Sequence, residues 1–205
     1  MDATFQTSIL ASLVAIVLTL LAGCGGAPDT GRFEISDVRD HKAKRCLNRA
    51  FPLEPSFFAA RRRIDSIGLF MQSRTGVDQD ADLVYIEVFE PGEVRRNTGR
   101  EISFGFPATA DTPALAEVDV RETCRNLNVS LAIQGNLTFS QLGLESGERV
   151  EGRLTSGSIV DARTGETVAG SITGRWDFAV RVTSPYRSYP TYREGYPTGP
   201  GRRPD

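Results

Sequence analysis

The sequence predicts an all-β protein, either an antiparallel β-sandwich or a flattened barrel of about eight or nine strands. Apolar and polar residues alternate with period two in many short segments, which is typical of half-buried strands. Turn-forming residues separate these segments, and no convincing helix follows the N-terminal leader. We expect a signal peptide at residues 1–23, a tether at 24–31, the β-sandwich domain at 32–183 and a disordered tail at 184–205.

The strands are identified by the faces on which their apolar residues lie. Residues 67–71 are apolar on both faces, whereas 116–120 alternate in the manner of a strand with one solvated face. The phase of the longest alternating segment slips near Gln141, which predicts a bulge. The predicted strands cover residues 33–38, 67–71, 83–89, 102–106, 116–120, 127–139, 150–162 and 168–182.

Three other segments are less regular. Residues 57–63 fit either a short strand or a helical turn, and 40–55 are expected to be irregular because of their two prolines. Pro91 is expected to begin a turn.

The last two strands are predicted to form a hairpin. Residues 160–162 are expected to pair antiparallel with 167–169, and Gly165 suits a positive φ in the turn between them. Trp176 lies on the apolar phase and is therefore expected in the core rather than on a sugar-stacking surface. Gly152, Gly170 and Gly174 share the inward phase and are expected either to leave room for Trp176 or to permit strong local twist.

The leader is an uncharged apolar run, residues 9–21, which is too short to span a bilayer as a helix. It ends in Leu21-Ala22-Gly23-Cys24, which resembles the lipobox of bacterial lipoproteins, and the resemblance implies a lipid on Cys24. Gly25 rather than Asp after the cysteine implies the outer membrane. Residues 1–8 lack the expected positive charge, which indicates a wrongly assigned start site or a weaker signal. The alternative to a lipoprotein is an ordinary signal peptide with a chance cysteine.

The remaining cysteines, Cys46 and Cys124, form an even pair in an exported chain, which favours a disulfide. Two free thiols or a metal pair are the alternatives. A zinc site is disfavoured because His41 is the only histidine of the chain.

The charges nearly balance, with 24 Lys and Arg against 26 Asp and Glu. This balance argues against nucleic acid as a partner. The dense basic run at 61–63 is expected to be a solvated edge or turn, and a site for acidic lipid is the alternative.

One acidic motif suggests a metal. Asp78, Asp80 and Asp82 place three carboxylates at a spacing that suits calcium, although a solvated hairpin loop is the simpler interpretation. An EF-hand is excluded because Leu83 and Phe89 occupy the positions that require Gly and Glu. We expect no other cofactor.

Motifs for catalysis are missing from the sequence, including nucleophile elbows, zinc-protease helices and phosphate loops. His41 lies in a charged loop without marked triad partners. Glu87, Glu90 and Glu93 resemble a glycosidase pair only in composition, since nothing fixes their separation. Tyr85 is the candidate exposed aromatic for a carbohydrate-binding surface.

The segment 148–182, ERVEGRLTSGSIVDARTGETVAGSITGRWDFAVRV, with LNVSLAIQGNLTFSQLG before it, resembles the closing hairpins of bacterial lipoproteins that have a β-sandwich body. That group has no assigned activity, so the resemblance implies only fold and placement. The expected function is therefore a non-enzymatic, lipid-anchored protein of the outer membrane, facing the periplasm or the exterior. Its expected partners are the bilayer, through Cys24, and an envelope protein or a glycan. A carbohydrate-binding module and a hydrolase with an unmarked site are the alternatives.

Overall fold

The computed structural model describes residues 27–47, 50–74, 81–109, 111–127 and 129–181. The predicted signal peptide, Cys24, Asp78, Asp80 and the C-terminal tail lie outside the described residues. All strand pairs in the described part of the chain are antiparallel, which confirms the predicted fold class.

The strands form one continuous hydrogen-bonded sheet in the order β2-β1-β10-β9-β8-β7-β5-β4-β3, with β6 added beside β8. A six-residue helix, α1 (Pro91–Arg96), follows the fifth strand, and a 3₁₀ turn covers Ala43–Arg45. The strands are β1 (Thr30–Val38), β2 (Ala50–Leu53), β3 (Phe57–Arg62), β4 (Ser66–Gln72), β5 (Asp82–Phe89), β6 (Glu101–Phe104), β7 (Ala114–Val120), β8 (Leu131–Leu142), β9 (Arg149–Asp161) and β10 (Thr167–Ala179).

The sheet curls so that its two ends pack over one core. Phe58 on the edge strand β3 stacks on Phe178 of β10, with ring centroids 5.3 Å apart. Trp176, Phe33 and Phe139 fill the centre, and each is almost fully buried. Burial of such large rings is the main source of stability for a domain of this size.

Several local predictions are confirmed. The register between β8 and β9 shifts between Phe139 and Gln141, where a bulge is predicted. Val160 pairs with Thr167 in the predicted hairpin, and Gly165 takes a φ of +74° in the turn. A Cβ on Gly152 would lie 2.6 Å from the Trp176 ring, so this glycine does leave room for the indole.

Two elements differ from the prediction. Residues 50–53 form β2 despite Pro52, because β2 is an edge strand paired only with β1 and needs no N–H on its outer side. Pro91 begins the short helix α1 rather than only a turn, because proline fits the first helical position, where no hydrogen bond is lost. The described residues contain no helix that is long and apolar enough to cross a membrane.

The basic run at 61–63 lies where β3 ends, at one edge of the sheet. Arg62 is exposed and forms an ion pair with Glu145, while Arg63 lies 3.5 Å from Glu87. Charged side chains on an edge strand discourage pairing with other chains, which agrees with the predicted solvated edge.

Candidate ligand-binding site

Glu117 is a carboxylic acid on the outer face of the sheet, yet only 7 % of it is exposed. Its neighbours on β7, Ala116 and Val118, point into the main core. On the outer face it lies between Tyr85 of β5 and Ala132 of β8, its partners in the strand register. Glu117 is therefore placed where an antiparallel sheet normally meets water, but it is enclosed.

Apolar side chains on the outer face explain this enclosure. The strands β4 and β5 are buried along their whole length on both faces, apart from the end of β5. A second apolar cluster therefore covers the outer face beside Glu117. It consists of Ala59, Phe70, Leu83 and Tyr85, with Phe57 packed against it.

A pocket of about 270 Å³ opens beside Glu117. It lies between β5, β7, the start of β8 and the described residues of the connection from β7 to β8, 121–127, 129 and 130. Aliphatic side chains and a few charged groups line it, a composition typical of sites for small organic molecules. The lining residues are Leu83, Tyr85, Glu117, Val118, Asp119, Arg121, Arg125, Leu127, Val129, Ser130 and Leu131.

The electrostatics of Glu117 are unusual for a surface strand. Its Oε1 atom is buried and has no hydrogen-bond partner in the described part of the chain. Burial, and to a smaller extent the negative charge of Asp119, raises the pKa of Glu117 from 4.5 to about 7. A buried polar atom without a partner costs free energy, so its presence beside a pocket points to a ligand or a functional role.

The rim of the pocket carries the opposite charge. Arg121 forms an ion pair with Asp119 at 2.9 Å, and about half of its side chain is exposed. Arg125 is exposed and forms no ion pair with any described residue. The pocket therefore combines a buried acid at its floor with guanidinium groups that are solvated, and so screened, at its mouth.

The pocket wall formed by residues 121–127, 129 and 130 is held by a disulfide. Cys46, just after the 3₁₀ turn, is bonded to Cys124, with the two Cα atoms 5.4 Å apart, which confirms the predicted bridge. Cys124 is buried in the main core. A cross-link between residues so far apart in sequence restricts the unfolded chain and fixes this wall in the folded one.

The carboxylate of Asp82 holds the same wall at the residues just before Cys124. Its Oδ1 accepts hydrogen bonds from the backbone N–H groups of Glu122 and Thr123, at 2.9 and 3.1 Å. Its Oδ2 accepts one from the Thr123 hydroxyl at 2.5 Å. Burial nevertheless raises the pKa of Asp82, because desolvation outweighs these bonds. Asp82 thus stabilises the turn that leads into the pocket wall.

Tyr85 forms the side of the pocket nearest β4. Its ring lies over Gly68, where an added Cβ would be 2.8 Å from the phenolic oxygen, and it packs on Phe70 with centroids 4.8 Å apart. Only 8 % of Tyr85 is exposed. It is therefore not the exposed aromatic platform predicted for carbohydrate binding, because neighbouring rings cover it.

The other predicted site residues do not converge on this pocket. No three His, Cys, Asp or Glu side chains among the described residues are placed to hold a metal ion. The calcium prediction concerns Asp78 and Asp80 as well as Asp82, and it stays a prediction because the first two are not described. His41 is exposed in the turn after β1, where the Asp40 carboxylate accepts hydrogen bonds from nearby backbone N–H groups.

Glu87, Glu90 and Glu93 do not form one site. Glu87 is buried on the outer face of β5 and accepts a hydrogen bond from Ser66 at 2.9 Å. Glu90 and Glu93 instead line a separate, open cleft of about 600 Å³ between α1, β6 and the segment before β7. That cleft is larger than the Glu117 pocket, but none of the four acids that line it is buried. The Glu117 pocket is therefore the stronger candidate.

Glu117 is the functional candidate that sequence patterns miss. The alternation around it predicts a half-buried strand with Glu117 on the solvated face. The only signal for its burial lies in the neighbouring strands, since residues 67–71 are apolar on both faces and 83–89 form a near-continuous apolar run.

No protein-family model matches the chain, and neither a curated protein nor a solved structure matches it significantly.

Proposed function

We propose that this protein is a lipid-anchored binding protein of the bacterial outer membrane, whose Glu117 pocket holds a small ligand. The observation that carries the binding role is a buried carboxyl oxygen without a partner beside a preformed pocket. Binding is favoured over catalysis because a nucleophile would need a base beside it. Apart from Tyr85, the described pocket residues include one hydroxyl group, that of Ser130, and it forms no hydrogen bond with Glu117.

The anchor is proposed from the lipobox at residues 21–24, with Gly25 favouring the outer membrane. The start of the described chain supports attachment close to the bilayer. Arg149 donates a hydrogen bond to the Ala27 carbonyl at 2.8 Å, and Asp29 pairs with Arg181 at 2.6 Å. Only a few residues separate Cys24 from this fixed segment, a span of about 10 Å at most.

Strand register supports an orientation in which the pocket faces away from the bilayer. Thr30, at the start of β1, pairs with Asp177, whereas Val38, at its end, pairs with Ala169. Following the register across β9 and β8 places the pocket at the same end of the sheet as Val38. That end lies about 26 Å from the start of β1. An anchored domain would thus present the pocket to periplasm or medium.

Metabolic labelling with an alkyne fatty acid tests the anchor. We expect the wild-type chain to be labelled and recovered with outer membranes, and Cys24→Ala to lose the label and leave the membrane fraction. A wild-type chain without label, or a label that survives in Cys24→Ala, would rule the anchor out.

A fragment titration tests the binding role. The ¹⁵N-labelled full chain, purified in a neutral detergent, is mixed with neutral, anionic, cationic and sugar fragments. Sugars are included because Tyr85 lines the pocket. We expect at least one class to move the amide signals of Glu117 and of segment 121–130 in a saturable way. If every class leaves these amides unchanged at millimolar concentration, the binding role is rejected.

A further inference from the structure

We propose that the Glu117 pocket is selective for a small organic ammonium ion, a protonated amine that carries a short apolar chain. The inference rests on the proposed binding function and adds the chemical class of the ligand. Three features of the pocket support it in turn: the unpartnered carboxyl oxygen, the charges that face it, and the apolar walls.

The first feature is the missing donor. Glu117 lies between Tyr85 and Ala132 on the neighbouring strands. Its Oε1 atom is buried and receives no hydrogen bond from the described residues. The phenol of Tyr85 lies over Gly68 on β4. A ligand that brings its own N–H donors would satisfy this oxygen, and a charged donor would form the stronger bond.

The second feature is the set of charges that face Glu117. Asp119 on the same strand adds negative charge, and together with burial it raises the pKa of Glu117. A bound ammonium group would offset both the burial of the Glu117 carboxylate and the repulsion from Asp119, because its positive charge would lie beside that carboxylate. Arg121 is already paired with Asp119, and Arg125 is exposed at the mouth, where solvent screens its repulsion.

The third feature is the apolar wall. Leu83, a member of the outer apolar cluster, lines the pocket beside the acid. Leu127, Val129 and Leu131, which pack with the main core, line it as well. These side chains would cover an alkyl group of a few carbons, and removing that group from water favours binding. A small inorganic cation would leave this surface without a partner.

The experiment compares three probes of similar size, butylammonium, butanol and butyrate, with the ¹⁵N-labelled full chain in neutral detergent. Dissociation constants are taken from the amide shifts of Glu117 and of segment 121–130. We expect butylammonium to bind at least about tenfold more tightly than the other two. We also expect its binding to tighten about tenfold between pH 6 and pH 8, as Glu117 ionises.

Two variants test the role of each charge. Glu117→Gln should lower the affinity for butylammonium at least about tenfold and should remove the pH dependence of binding, because the buried charge is gone. Arg125→Glu, at the exposed mouth, should bind butylammonium more tightly than the wild type does and butyrate more weakly. Glu151→Gln, an exposed residue of β9 far from the pocket, should leave both affinities unchanged.

The outcomes separate this inference from the proposed function. If butanol, butyrate or a sugar moves the pocket amides as strongly as butylammonium does, the ammonium inference is overturned while the binding role stands. Wild-type affinity of Glu117→Gln for butylammonium would overturn it in the same way. If no probe and no fragment moves these amides, both proposals fail together.

Discussion

Replacing Glu117 with glutamine is expected to stabilise the protein above neutral pH and to change it little in mild acid. The folded chain holds the Glu117 proton up to about pH 7, whereas the unfolded chain releases it near pH 4.5. The folded state therefore binds more protons in this window, and its stability falls as the pH rises from 4.5 to 7. Glutamine mimics the protonated acid and does not titrate.

The size of the effect follows from the difference between the two pKa values. At about 1.4 kcal/mol per pKa unit, raising the pKa from 4.5 to about 7 costs the wild type about 3 kcal/mol at pH 8. The free energy of unfolding of Glu117→Gln should then exceed that of the wild type by up to this amount at pH 8. The difference should vanish at pH 4.

Urea unfolding of both chains at pH 4, 6 and 8, followed by tryptophan fluorescence, measures this difference. The subtraction removes other titrations such as that of Glu148, whose pKa is lowered to about 2 by two backbone N–H groups and Arg95. Glu151→Gln provides the matched control and should parallel the wild type at each pH. If wild type and Glu117→Gln were equally stable at pH 8, the claim that Glu117 is a buried acid without a partner would be refuted.

Two further variants test the packing and the bridge. Gly152→Ala should lower the free energy of unfolding by about 1–3 kcal/mol, because the added methyl group would meet the Trp176 ring at 2.6 Å. Gly105→Ala, which has open space around it, should leave the melting temperature unchanged. Equal melting temperatures for the two variants would contradict this prediction. Replacing both Cys46 and Cys124 with alanine should lower the free energy of unfolding, measured in urea, by about 4 kcal/mol. The denatured wild-type protein should show no free thiol from this pair, and titratable thiols there would contradict the bridge.

Period-two alternation predicts most of the sheet because one side of each strand must pack on the core. It predicts the strands on either side of Gln141 and Gly165 with errors of a few residues at their ends. It misses β2, since the prolines at 52 and 55 suggest irregular structure, yet an edge strand tolerates them. Alternation is local, whereas the position of β2 depends on β1, which comes from pairing across the fold.

The candidate site is harder to predict for a related reason. Glu117 appears solvated when its own strand is considered alone. Its burial depends on Tyr85, which lies on a strand some thirty residues earlier, and on the pocket wall that the Cys46–Cys124 disulfide holds. The disulfide itself was predictable from the cysteine count together with the predicted signal peptide, but its function as a brace for the pocket requires the folded geometry.

Carbon-13 NMR of the Glu117 side-chain carboxyl, titrated with and without butylammonium, tests the central claim most directly. We predict a midpoint near pH 7 in the free protein and a clearly lower midpoint with butylammonium bound, because the ammonium ion stabilises the charged carboxylate. A midpoint near the ordinary value of 4.5 that does not move when butylammonium is added would contradict both the buried acid and its ligand.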